Sequence, residues 1–141
     1  MVGTFNCSYS DTIESLEGMP QKVGGNFYCV KCSSLISLEG GPKEVGGYFY
    51  CTRCGNLESL EGSPQKVGGS FCCYECYELK SLEGAPKEVV GNFLCNSCPN
   101  LKSLEGAPQK VGGDFESAWC GVEFTKDDVK KVCKVKGKII V

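Results

Sequence analysis

The sequence predicts a mainly β protein: a parallel-strand solenoid of about six 22-residue coils with a short C-terminal helical cap. Three observations predict it. The tripeptide Ser-Leu-Glu begins at residues 15, 37, 59, 81 and 103, a spacing of 22 without slippage. A phenylalanine column runs in register with it, at Phe5, Phe27, Phe49, Phe71, Phe93 and Phe115. Finally, no unit contains an apolar segment of helix length, so one unit cannot bury its own apolar face, whereas stacked copies form a continuous core.

The elements follow in order along one unit, "VGGNFYCVKCSSLISLEGGP" (residues 23–42). Val23 precedes Gly24-Gly25, where the chain can take positive φ or approach its neighbour closely. Phe27-x-Cys29 has the period of two of a short strand, the single strand expected in each unit. Leu35 and Leu38 continue the inward-facing set, and Leu38-Glu39-Gly40-Gly41-Pro42 supplies the turn that closes the coil. Val, Pro and Leu (Ile13 in the first unit) recur at the same offsets in the other units. Neighbouring strands should lie about 4.8 Å apart.

The variable positions report the register. One column reads Lys22, Glu44, Lys66, Glu88, Lys110, alternating in sign. Residues stacked directly above one another repel when alike and attract when opposite. Each exposed pair contributes only a few tenths of a kcal/mol, so the alternation matters as a sign of in-register stacking. Glu17, Glu39, Glu61, Glu83 and Glu105 do not alternate. They are expected to be well solvated or bonded to turn amides.

The pattern "VGGxFxCxxCxxLxSLEGxP" resembles a short leucine-rich repeat, and is particularly similar to the BspA-like branch and to phage-like and bacterial repeat proteins. The resemblance covers residues 1 to about 121. It implies a leucine-rich-repeat-like, curved parallel solenoid used for protein binding. Phe and Cys stand where strand leucines are usual, and the unit is short. Residues 122–141 are expected to form a separate cap: Thr125 is an N-cap residue followed by Asp127 and Asp128, Val129, Val132 and Cys133 share a helical face, and "GKIIV" is a candidate final strand.

Composition narrows the function. The chain has 141 residues, a net charge of -2, 12 cysteines, 19 glycines and no histidine. A nucleic-acid binder normally shows a basic face, so nucleic acid is not an expected partner. No apolar run is long enough for a bilayer, so no membrane partner is expected either. The start, "MVGTFNCSYSDTIES", has neither a basic n-region nor an apolar h-region, and the thiols are therefore expected in the reducing cytoplasm. Without histidine the chain lacks the usual proton shuttle and the usual base for a Cys or Ser nucleophile. No enzymatic activity and no cofactor are expected.

The cysteines leave two readings open. They form a strand column, Cys7, Cys29, Cys51, Cys73 and Cys95, and a second column, Cys32, Cys54, Cys76, Cys98 and Cys120, with Cys72 and Cys133 outside both. Taken by spacing, Cys29, Cys32, Cys51 and Cys54 match a four-thiolate zinc pattern, as do Cys73, Cys76, Cys95 and Cys98. Yet a CxxC in any 22-residue repeat reproduces that spacing. Ser10 and Ser117 also stand where Cys7 and Cys120 would need partners. The first reading is a ladder of reduced, inward-facing thiols, since free Cys behaves as a small buried hydrophobe. The alternative is a zinc-binding or redox-responsive protein; stacked cysteines also fall within disulfide reach.

Binding residues are sought on the outward strand positions. If Phe27 and Cys29 point in, Tyr28 points out, in a column with Tyr50, Cys72 and Leu94. The flanking outward column runs Asn26, Tyr48, Ser70, Asn92, Asp114. Tyr28, Tyr48, Tyr50, Cys72, Tyr74 and Leu94, with Arg53 in the adjacent loop, form the candidate face for an unidentified protein partner. Self-association through a sheet edge is a further expectation.

Overall fold

The computed structural model describes residues 2–141. It is a parallel β-solenoid of about six 22-residue turns with one short C-terminal helix. In chain order the strands are β1 (Phe5–Asn6), β2 (Lys22–Val23), β3 (Phe27–Tyr28), β4 (Glu44–Val45), β5 (Phe49–Tyr50), β6 (Lys66–Val67) and β7 (Phe71–Cys72). They continue as β8 (Glu88–Val89), β9 (Phe93–Leu94), β10 (Lys110–Val111) and β11 (Phe115–Glu116). Helix α1 (Lys126–Val132), β12 (Lys134–Val135) and β13 (Ile139–Ile140) complete the chain.

Each coil therefore carries two short strands, not the single one expected. The odd-numbered strands form one seven-stranded sheet in the order β1-β3-β5-β7-β9-β11-β13, and the even-numbered ones a six-stranded sheet from β12 to β2. The second strand is the column with alternating charge: Lys22 pairs with Glu44, Glu44 with Lys66 and Lys66 with Glu88. In-register parallel stacking is thus seen directly, and Lys66 Nζ lies 3.7 Å from Glu88 Oε1.

The core lies between the two sheets and the arc that joins them. Phe27, Phe49, Phe71, Phe93 and Phe115 are fully buried, with ring centroids 5.1 to 5.5 Å apart along the stack. Burying one such ring stabilises by roughly 2–3 kcal/mol, and each aromatic pair adds about 1 kcal/mol. Leu35, Leu57, Leu79 and Leu101 line the arc at 0% exposure, as the leucine column requires.

Glycine has two separate uses. At Gly40, Gly62, Gly84 and Gly106 φ is +82° to +96°, in a turn closed by bonds such as Gly41 N–H to Leu38 O at 3.1 Å. Only glycine adopts that third turn position without strain. The Gly-Gly pair serves instead for close approach: a Cβ on Gly47 would collide with Asn26 Oδ1 and the Gly25 carbonyl. The glutamate column is exposed throughout, as a non-alternating column must be.

Beyond Cys120 the repeat changes. Thr125 caps α1 with a capping box to Asp128, and Phe124 and Val129 are buried against the core where earlier arcs use leucines. The segment then adds a strand to each sheet: β12 pairs with β10, and β13 with β11.

Candidate functional site

Two arrays of side chains carry chemistry: the thiols inside and the aromatics outside. Inside, every residue of the second cysteine column points its thiol at the strand of the preceding coil. Cys32 donates to Cys7 O at 3.3 Å, Cys54 to Cys29 O at 3.0 Å, and Cys76 to Cys51 O at 3.2 Å. Cys98 and Cys120 repeat the contact on Cys73 O and Cys95 O, at 3.3 and 3.2 Å. That carbonyl ends the strand, where the chain turns away from the sheet, and the S–H supplies a weak donor to a buried acceptor. Thiols of the strand column look the other way, Cys29 toward Tyr50 O at 3.4 Å and Cys51 toward Cys72 O at 3.6 Å.

The turn between the two cysteines makes this possible. Tyr9, Lys31, Arg53, Glu75, Ser97 and Trp119, one per coil, all have φ of 56° to 65°. A non-glycine residue there costs about 1 kcal/mol or more. The left-handed residue turns the chain so that the following residue, a cysteine in every coil but the first, points back toward the core.

All twelve cysteines are free thiols, and most are buried. The two zinc quartets are not gathered into clusters. Among the described residues no group of three or more His, Cys, Asp or Glu side chains is arranged to hold a metal ion. Burial pushes the thiols of Cys51, Cys73, Cys76 and Cys95 well up, and that of Cys98 up to about 12. Cys32 moves the other way, pushed down by the neighbouring Cys54 and Cys7 thiols, which are themselves pushed up.

Outside, the seven-stranded sheet brings together most of the expected binding residues. Tyr28 and Tyr50 are half-buried neighbours in an edge-on pair, centroids 5.3 Å apart. Tyr48 stacks on Tyr50 at 5.7 Å, with 10° between the planes. Tyr74 and Leu94 are half-buried on the same side. Burial pushes the Tyr50 hydroxyl up to about 12, and it stays neutral at physiological pH. Arg53 reaches across the coils to Glu75, Nε to Oε2 2.9 Å, at the border of this patch.

Cys72 differs from the expectation. It lies in the outward column between Tyr50 and Leu94, but only 3% of it is exposed. Its short side chain sinks between larger neighbours, and burial pushes its thiol up to about 12. It is a floor beneath the tyrosines, not a contact point.

The flanking column is mostly committed to the fold. Thr4, Asn26, Ser70, Asn92 and Asp114 form a polar ladder in which a side-chain oxygen accepts a backbone N–H of the next coil. Examples are Asn26 Oδ1 from Tyr48 N at 2.8 Å and Asn92 Oδ1 from Asp114 N at 2.8 Å. Tyr48 interrupts it. Its ring carries no acceptor near the backbone and stands 45% exposed instead.

Sequence reasoning missed the two most exposed aromatic side chains. Trp119 is 84% exposed and Tyr9 73%, both in the left-handed column. The signal was present in the spacing: both lie an integral number of 22-residue units from Lys31, in a loop position that every coil turns outward.

No family model, no curated protein and no solved structure matches this chain. Among the described residues no helix is long and apolar enough to cross a membrane.

Proposed function

We propose that this chain is a non-enzymatic protein-interaction module whose contact surface is the aromatic stripe of Tyr28, Tyr48 and Tyr50, bordered by Tyr74, Leu94 and Arg53. The observation that carries the reading is Tyr48. In its column the fold uses small polar residues to receive backbone N–H groups, and a tyrosine forgoes that bond for an exposed ring stacked on Tyr50. Pre-stacked tyrosines lose little conformational freedom on binding, which suits them as interface anchors. Twelve unbridged thiols suit a reducing compartment such as the cytoplasm, and the reading needs no cofactor.

A leucine-rich-repeat affiliation rests on the sequence pattern alone. The coil here has two strands and no helix in the repeating arc, whereas leucine-rich repeats combine one strand with a helix or 3₁₀ segment.

The test is affinity capture from a cell extract on the immobilised protein. The Tyr28→Ala/Tyr48→Ala/Tyr50→Ala variant should keep its far-UV spectrum and lose the captured partner. Lys22→Ala/Lys66→Ala, on the opposite sheet, should retain it. Undiminished capture by the tyrosine variant would refute the stripe as the site.

A further inference from the structure

The two ends of the solenoid are unlike each other. β1 is one edge of the seven-stranded sheet and β13 the other. Through the stack the pairing is uniform, from Phe5 opposite Phe27 to Phe115 opposite Ile139. In each step the phenylalanine N–H donates to the next coil, from Phe5 N to Asn26 O through Phe115 N to Lys138 O. Ile139 is the next residue in that series, so the β13 edge presents the backbone pattern that β1 receives in a parallel ladder.

The end faces also match in apolar character and charge. α1 occupies the last arc and packs against β13. Phe5, Cys7 and Ile13 are only half-covered at the first end, as are Val135 and Ile139 at the last, where Val132 is 39% exposed. Residues 2–21 carry Asp11, Glu14 and Glu17 and no lysine or arginine, a charge of -3. Residues 118–141 carry six lysines against Glu123, Asp127 and Asp128, a charge of +3.

We propose that this chain stacks head to tail on further copies of itself, β13 of one copy pairing with β1 of the next so that the sheet runs on. The register of the sheet then sets the acidic arc of Asp11, Glu14 and Glu17 against the α1 arc with Lys130 and Lys131. Charge selects this orientation: like ends would bring -3 against -3 or +3 against +3. A heterologous contact of this kind does not close, and it grows a filament. Each copy would bring another set of outward tyrosines, but the contact uses none of them. The proposal therefore stands or falls separately from the interaction stripe.

Sedimentation over a concentration series tests it. At low salt the weight-average mass should rise past the dimer without a plateau, and fall back toward one chain at high salt. Asp11→Lys/Glu14→Lys/Glu17→Lys and Lys130→Glu/Lys131→Glu/Lys134→Glu alter exposed side chains only. Each variant alone should associate about tenfold more weakly or worse. An equimolar mixture should associate again, because each variant's reversed end then meets a complementary one. A single-chain mass at every concentration overturns the proposal, as does a plateau at the dimer or association that high salt leaves unchanged. The salt series on the unaltered protein decides the matter if either variant misfolds.

Discussion

The coils around Cys51 and Cys73 and the coil around Ser117 are built on one template, yet they treat the same buried position differently. Cys51 and Cys73 are fully buried; the Cys51 thiol leans weakly on Cys72 O, and neither position needs a strong partner. Ser117 occupies the equivalent place at 2% exposure, and its Oγ has no hydrogen-bond partner among the described residues. A thiol is a small hydrophobe that donates weakly and loses little when unpaired. A hydroxyl loses about 1–3 kcal/mol in the same position. The contrast explains the cysteine columns as packing residues with a spare donor, and locates a weak point where the repeat gives way to α1.

The largest expected effect contrasts the middle of the phenylalanine stack with its end. Phe71→Ala removes a fully buried ring that stacks on Phe49 and Phe93, and should cost about 3–5 kcal/mol in urea unfolding. Phe5→Ala removes a half-buried ring that stacks on one phenylalanine, Phe27, at 5.8 Å, and should cost roughly half as much. Equal losses would mean that stability is not a sum over neighbouring coils.

A smaller effect sharpens the comparison at Ser117. Ser117→Cys restores the column residue and should raise stability by about 1 kcal/mol, read from the urea midpoint at unchanged slope. A loss of stability would show that the hydroxyl has a partner worth keeping.

The solenoid was legible because every column repeats, so Phe27, Leu35 and Leu38 each carry the same message several times. The second strand was half-legible: the Lys22-Glu44-Lys66 alternation betrayed stacking, but two residues beside a Gly-Gly pair look like a turn. The left-handed column was not legible. Tyr9, Lys31, Arg53, Glu75, Ser97 and Trp119 share no chemistry, only a backbone angle forced by the following inward residue. The stripe was legible in outline from the period of two. The sinking of Cys72 was not, because it depends on how far Tyr50 and Leu94 lean across a shorter neighbour. The direction of the thiol bonds was hidden too, since the path of the arc decides which coil each cysteine faces.

The most direct test of the thiol ladder is the native mass per chain of protein purified without added metal, followed by thiol titration after unfolding. The account predicts the mass of the polypeptide alone and twelve titratable thiols. A mass heavier by one or two zinc ions, or fewer than twelve thiols, would contradict it, and would make metal or disulfide bonds the organising feature of the coils.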